Sequence, residues 1–174
     1  MTWLRKRKKY SRPRKLYDKV RIEEENSLIK TYGLKNKEEI WRAEAAIERL
    51  RNRAKNLITA STEEQKKLFS KLNNMGFKVE KISDILGLSK ENWLKRRLQS
   101  VLVKKGYAKP KEARQLIVHK HVAINNNIIN IPSYIVKVDE EDKIKVFKKM
   151  KKIEDDKEKA KEIKEVEKII QQIK

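Results

Sequence analysis

The chain contains no cysteine, and it has only two histidines, three prolines and four glycines among its 174 residues. Without cysteine it can form no disulfide framework, no thiolate metal site and no cysteine nucleophile. Long apolar runs are also missing, since none approaches the roughly 20 residues that a membrane-spanning helix needs. The basic N-terminus lacks the apolar stretch of a signal peptide. We therefore expect a soluble, intracellular protein that does not act at a membrane.

Acidic residues are scarce relative to basic ones. Lys and Arg together number 46 against 25 Asp and Glu, which gives a formal net charge of +21. The excess is concentrated in residues 1–138, which carry +20 (34 Lys and Arg less 14 acids), whereas residues 139–174 carry +1 (12 Lys less 11 acids). Proteins this basic usually bind nucleic acid, because each neutralised phosphate releases condensed counterions. An anionic membrane surface is the competing polyanion, and the missing apolar runs disfavour it.

Charge and apolar periodicity together predict a mainly helical α+β protein made of four segments. These are a basic RNA-binding arm (1–36), a helical subdomain (37–92), a compact RNA-binding α+β domain (93–138) and a charged helical or disordered tail (139–174). Apolar residues at helical spacing between Ile163 and Ile173 predict an amphipathic tail helix, either solvated or docked on a neighbouring protein.

The arm contains a run of cations from Arg5 to Lys15 that no acid interrupts. Such a run repels itself and stays extended until a polyanion neutralises it. Tyr10 lies within the run and is available to stack on RNA. The pattern favours an arm that becomes ordered on RNA over one that only improves solubility.

The helical subdomain shows several amphipathic stretches. Asn36 is placed to cap a helix that begins at Lys37 and runs to Ile58. Its basic face is either a solvated surface or a stripe that follows phosphates. Ser61 and Glu64 have the spacing of a capping box at the start of the next helix, which is expected to stop at Gly76.

Two further helices complete this pattern, one around residues 82–86 and one capped by Ser89 that continues to Lys104 and Lys105. The aromatic residues fall on the apolar faces, which favours packing over base stacking. They are Trp41, Phe69, Phe77 and Trp93.

From Gly106 onward the sequence predicts a tight turn, a short helix starting at Pro110 and then a hairpin. On the short helix, apolar residues are expected to face the preceding helix and polar ones to face outward. The first group is Ala113, Leu116 and Ile117, and the second is Lys111, Arg114 and Gln115. Two β-branched runs flank 125–127, which predicts a hairpin with asparagine at positive φ, and 134–136 is expected to form a last strand.

The segment RRLQSVLVKKGYAKPKEARQLIVHKHVAINNNIINIPSYIVK resembles the RNA-binding motif of the small-subunit ribosomal protein four family, the S-four domain. Shared features are an Arg-Leu helix start, an Ala-Arg-Gln helix, a His-x-His junction, an asparagine turn and a Pro-Ser-Tyr exit. KKYSRPR, RIEEE and YGLKNKEEIWRAEAAI are similar to the archaeal and eukaryotic branch of the same family. The chain departs from the family at Lys120 and Asn126, where glycine is usual.

The resemblance implies a structural constituent of the small ribosomal subunit. Such a protein binds small-subunit ribosomal RNA at a multi-helix junction, supports assembly and lies near the side where mRNA enters, in the cytoplasm. Its expected partners are that RNA, neighbouring ribosomal proteins and mRNA, and no cofactor or metal is implied. The candidate RNA-binding residues are Arg5, Arg7, Lys8, Lys9, Arg12, Arg14, Arg97, Lys104, Lys105, Lys109, Lys111, Arg114, Gln115, His119, Lys120, His121 and Asn125.

Other proteins carry the same motif for other purposes. Pseudouridine synthases and tyrosyl-tRNA synthetases attach it to catalytic domains, but residues 37–90 are too short and too helical for a catalytic sheet. An enzyme is therefore not expected. A non-ribosomal RNA-binding factor with an S-four domain is the alternative, and an interaction protein held by its tail helix is a third reading.

Overall fold

The computed structural model describes residues 10–147, and every structural statement below concerns these residues. The predicted α+β class, mainly helical with a small sheet, is confirmed. The helices are α1 (Lys19–Tyr32), α2 (Glu38–Asn56), α3 (Thr62–Asn74), α4 (Ile82–Leu86), α5 (Lys90–Lys95), α6 (Leu98–Lys104), α7 (Pro110–Val118) and α8 (Val138–Glu141). The strands are β1 (Val122–Ile124), β2 (Asn127–Ile128) and β3 (Ile144–Val146).

Three apolar clusters hold these elements together. One joins α6, α7 and the sheet, and its members include Leu102, Ile117 and Val122. A second joins α2, α3 and α4, and a third packs the end of α1 and the start of α2 on Leu94 of α5. We call 98–147 the α+β unit and 19–95 the helical unit. The predicted packing of the aromatic residues is confirmed, because all four contact the second or third cluster.

Helix α1 was not predicted, because residues 1–36 were expected to form one basic arm. The helix has a narrow apolar stripe: only Leu28, Ile29 and Tyr32 pack against the third cluster. Its other anchor is polar, because the buried Glu25 carboxylate accepts a hydrogen bond from the Trp41 indole nitrogen of α2 at 2.9 Å. Because a buried acid replaces part of the usual apolar face, the apolar residues of α1 show only a weak helical periodicity, and the sequence pattern did not reveal the helix.

The helix predicted to run from residue 90 to residue 105 is in fact two helices, broken at residues 96 and 97. Residues 134–136 lie antiparallel to the break and take up its backbone hydrogen bonds. The amide of Leu98 donates to the Tyr134 carbonyl at 2.7 Å, and the amide of Val136 donates to the Arg96 carbonyl at 3.1 Å. The strand predicted at 134–136 therefore forms a single bridge, between Arg97 and Ile135, and not a strand of the sheet.

The sheet has the antiparallel order β2-β1-β3. Its hairpin turns on Asn125 and Asn126, whose φ values of 50° and 68° confirm the predicted asparagine turn. The third strand is β3, in which Ile144 pairs with Ile124 and enters the core. Residues 139–147, which the sequence analysis placed in the tail, thus form part of the α+β unit.

The predicted helix starts lie within one residue of the observed ones, but their capping side chains do not act as expected. Neither α2 nor α3 has a side-chain cap hydrogen bond, so the predicted roles of Asn36 and Ser61 are wrong. Within 10–147, no helix is long and apolar enough to cross a membrane. The predicted amphipathic tail helix lies outside the described residues.

Candidate RNA interface

Helix α7 presents a polar outer face, as predicted. Pro110 occupies its first turn, and the Glu112 carboxylate accepts the amide hydrogen of Lys109 at 3.1 Å. The three apolar residues of the helix are at most 2% exposed. Lys111 and Gln115 lie on the opposite side and are exposed. Packing of one face therefore fixes the direction in which these two donors point.

The turn after α7 adds a second group of donors. His119 ends the helix, its ring centroid lies 6.4 Å from that of His121, and Lys120 stands between them. Lys120 is exposed and has a φ of 62°, a left-handed conformation that glycine adopts with less strain. This is the position where the S-four pattern has glycine. The chain therefore accepts backbone strain and places a cation at this turn.

Two predicted RNA-binding arginines are engaged inside the protein. Arg97 is 4% exposed and its guanidinium donates to the Glu39 carboxylate of α2. Arg114 donates to the same carboxylate at 2.9 Å and 3.3 Å. The prediction that Arg97 lies on an outer RNA-binding surface is therefore wrong, because a buried guanidinium needs a counter-charge and Glu39 supplies it. Arg114 keeps part of its side chain exposed.

Gln99 completes this internal connection, although it was not among the predicted RNA-binding residues. Its buried side-chain amide donates to the carbonyls of Pro110, Gly33 and Tyr32 at 2.7, 2.9 and 3.1 Å. It thus ties α6 to α7 and to the end of α1. The sequence feature that could have revealed this role is the single amide side chain in the largely apolar run LQSVLV. An amide in such a run is expected to be buried, and a buried amide needs hydrogen-bonding partners.

Glu39 and Glu25 both have pKa values below the ordinary value of 4.5. Burial acts to raise each pKa. At Glu39 the hydrogen bonds and charges of Arg114 and Arg97 outweigh burial, and at Glu25 the contacts with Trp41 and Lys37 do so. Both carboxylates are therefore ionised at neutral pH and hold their partners in place.

A cleft lies between α2 and the α+β unit, and we call it the α2 cleft. Among the described residues it is lined by five cations and one acid, together with apolar and small residues. The cations are Lys35, Arg42, Arg49, Arg97 and Arg114, the acid is Glu39, and the others are Asn36, Ala43, Ala46, Trp93, Pro132 and Ser133. A second depression shares Ala46, Arg49 and Trp93 with it and adds Arg53 and Lys71. Cations thus continue along one face of α2.

The remaining predicted RNA-binding residues lie outside the α2 cleft. Lys104, Lys109 and Asn125 are exposed at the rim of the α+β unit. Lys105 contacts the Glu141 carbonyl and lies 3.4 Å from the Asp142 carboxylate.

Arg12 and Arg14 line a depression on the other side of α2, together with Arg51. The Tyr10 ring lies 6.2 Å from the Trp41 ring, tilted by 35°, and the Arg42 guanidinium lies 5.3 Å above it, so the ring packs within the protein. Arg5, Arg7, Lys8 and Lys9 lie outside the described residues.

Two comparisons identify known proteins that resemble this chain, one with protein-family models and one with individual protein sequences. The family model described as S4 domain, called S-four above, matches residues 96–142. The chain is similar to the small ribosomal subunit protein uS4 of Methanothermobacter thermautotrophicus, with 43% identity over 79% of this chain and 85% of that protein. It is also similar to the uS4 proteins of Korarchaeum cryptofilum (44% identity; 79% and 87% covered) and Nanoarchaeum equitans (41%; 80% and 83%).

These relatives are archaeal proteins of the ribosome and not enzymes, which confirms both the predicted resemblance and the expectation of a non-catalytic chain. The match extends well beyond the S4 domain, since it covers about four fifths of the sequence. The chain belongs to the uS4 family of small ribosomal subunit proteins.

Proposed function

We propose that the chain is a structural protein of the small ribosomal subunit that binds the subunit's RNA at a junction of several helices. The observation that carries this proposal is the α2 cleft beside the S4 domain, where Lys35, Arg42 and Arg49 are exposed while the single acid, Glu39, is occupied by the buried Arg97 and by Arg114. The outer face of α7 and the turn at Lys120 extend the same basic surface. Family membership supports the ribosome as the setting.

The mechanism follows from rigidity and charge. A-form RNA hides its base edges in a narrow groove, so proteins recognise it mainly by shape, phosphates and 2′-hydroxyls. The buried links from Gln99 and Glu39 hold the helical unit and the S4 domain at one angle. Two basic surfaces at a fixed angle fit two RNA helices that meet at a junction. Binding would lower the repulsion between their backbones and so favour assembly.

In this proposal the protein works in the cytoplasm beside other ribosomal proteins and near the side where mRNA enters the subunit. The resemblance of residues 6–137 to the archaeal and eukaryotic branch of the family supports this placement. A non-ribosomal factor would need only the S4 domain, whereas the similarity to uS4 also includes the helical unit.

Crosslinking of the tagged protein in cells, followed by sequencing of the bound RNA, tests the proposal. We expect the reads to concentrate on small-subunit ribosomal RNA around one multi-helix junction. Reads mainly on large-subunit or transfer RNA would overturn the ribosomal assignment.

The RNA-binding surface can be located by measuring how charge-reversal variants of the purified protein bind a small-subunit junction RNA. Lys111→Glu should weaken binding about five- to tenfold and reduce its salt dependence, because a phosphate contact becomes a repulsion. Lys66→Glu on α3 makes the same charge change at an exposed residue that lies neither in the α2 cleft nor on α7. Equal losses from the two variants would mean that no localised RNA-binding face exists.

A further inference from the structure

The residues just before α1 and its first turn expose apolar side chains that folding does not explain. Tyr17 is 92% exposed, Val20 is 67% exposed and Leu16 is 57% exposed. The three apolar clusters described above do not include them. A tyrosine ring left almost wholly in water stabilises little within the chain, and large apolar side chains exposed so close together in the sequence are typical of a binding surface.

The backbone that carries this ring is fixed by a buried charge. The Arg21 guanidinium donates to the carbonyls of Lys15 at 2.7 Å and Leu16 at 3.0 Å. The same guanidinium donates to the Glu25 carboxylate at 2.9 Å, and Glu25 is 2% exposed. The residues just before Tyr17 are thereby anchored to the interior, so the ring is presented from a defined position. Presentation from a fixed backbone lowers the entropy lost on binding.

The charge around the ring identifies the kind of partner. Residues 11–21 contain five cations and one acid, Asp18. An apolar protein surface would have to desolvate these charges, which costs free energy. RNA satisfies both features at once, since it offers phosphates to the cations and flat bases to the ring.

We infer that Tyr17 is a stacking platform for an unpaired base of the RNA that the chain binds, with the neighbouring cations on the flanking phosphates. The inference rests on the proposed function and adds to it a contact outside the S4 domain. The platform recognises any base face, because stacking on an aromatic ring discriminates little between bases. It therefore anchors a single-stranded or bulged nucleotide next to the junction.

The experiment measures the affinity of the full chain for a small-subunit junction RNA at constant salt. Tyr17→Phe keeps the ring and should bind within twofold of wild type. Tyr17→Leu keeps the apolar surface but loses the ring, and it should bind about five- to 100-fold more weakly. Ultraviolet irradiation of the complex should give a base crosslinked to the peptide that contains Tyr17. Because the side chain is exposed, the melting temperature of either variant should stay unchanged.

Leu16→Ala and Val20→Ala are the matched controls, since they remove apolar surface from the same place without removing a ring. Both should weaken RNA binding by less than about twofold, because neither side chain offers a ring on which a base can stack. Tyr17→Leu binding as tightly as wild type would overturn the inference while leaving the proposed function intact. Reduced incorporation of the two alanine variants into subunits, with normal RNA affinity of Tyr17→Leu, would instead identify a protein-docking patch. Failure of wild type to prefer small-subunit RNA would overturn both.

Discussion

At the residue scale, residues of one sequence motif have opposite roles. Arg97 and Gln99 point inward and hold the two units together, whereas Lys111 points outward. The residue types do not reveal this difference, because the N–H donors of arginine, glutamine and lysine can bind acceptors inside the protein as well as phosphates of RNA. The deciding partner of Arg97 is Glu39, which lies 58 residues earlier in the chain.

Replacing Glu39 by glutamine should destabilise the protein by about 3 kcal/mol, because a buried guanidinium loses its counter-charge. The amide group also turns donors toward the donors of Arg97 and Arg114. Thermal and urea unfolding measure the change. Glu38→Gln is the matched control: its partner Arg42 is largely exposed, so the loss should stay below about 0.5 kcal/mol. Similar losses from both variants would contradict the assignment of Glu39 as the link between the units.

The low pKa of Glu39 predicts how stability depends on pH. A carboxyl group whose pKa is lower in the folded state stabilises the protein above its unfolded pKa, and this contribution is lost as pH falls through the folded value. The stability of wild type should therefore fall steadily as pH decreases below 4.5. Urea unfolding at several pH values should show a smaller decrease for Glu39→Gln. An identical decrease for both proteins would mean that Glu39 has an ordinary pKa.

Substitutions of Lys120, in the turn after α7, separate the effect of backbone strain on stability from the effect of the cation on RNA binding. Lys120→Gly should raise the free energy of unfolding by about 0.5–1 kcal/mol, because glycine adopts the φ of 62° without strain. Lys120→Ala removes the same charge but keeps the strained conformation, so it should not be stabilised. Thermal unfolding compares the two. If the cation contacts RNA as proposed, both variants should bind more weakly to the same extent.

At the scale of elements, the sequence predicted most helices and the asparagine hairpin, because these depend on local periodicity and turn chemistry. It missed α1, whose main anchor is the single buried Glu25. It also missed the break after α5, since the cause is pairing with residues 134–136, about 40 residues later. Local patterns cannot show which distant segment takes over a backbone hydrogen bond. Arg97 was assigned to the outer surface for the same reason, because its partner Glu39 is distant in the sequence.

Gly33, which follows α1, lies directly against Pro110 at the start of α7. Gly33 has a φ of 60°, and a Cβ there would lie 2.7 Å from the Pro110 Cβ. Gly33→Ala should therefore cost about 2–4 kcal/mol, from both backbone strain and steric overlap. Gly106→Ala shares the positive φ of 76° but meets nothing within 4 Å, so it should cost only about 1 kcal/mol. Equal melting temperatures for the two variants would show that α1 does not pack this closely on α7.

At the scale of the whole molecule, the two units are connected by ion pairs and by hydrogen bonds of buried side chains. The Arg96 guanidinium pairs with the Glu141 carboxylate at 2.7 Å and donates to the Val136 carbonyl at 2.7 Å. Glu39 and Gln99 make the corresponding connection on the side of α1 and α2. A basic protein that positions RNA through two surfaces needs such links, because its own positive charges repel each other.

Two truncations separate the role of the last residues in folding from any role in binding. Ending the chain after Phe147 removes ten lysines and seven acids but retains β3, so RNA affinity and melting temperature should stay close to those of the full chain. Ending it after Val138 also removes Glu141, which pairs with Arg96, and Ile144, which is 6% exposed in the core. Loss of one such buried side chain costs about 2–5 kcal/mol. The shorter chain should therefore lose cooperative unfolding and specific RNA binding, and equal behaviour of the two truncations would mean that β3 is dispensable for the S4 domain.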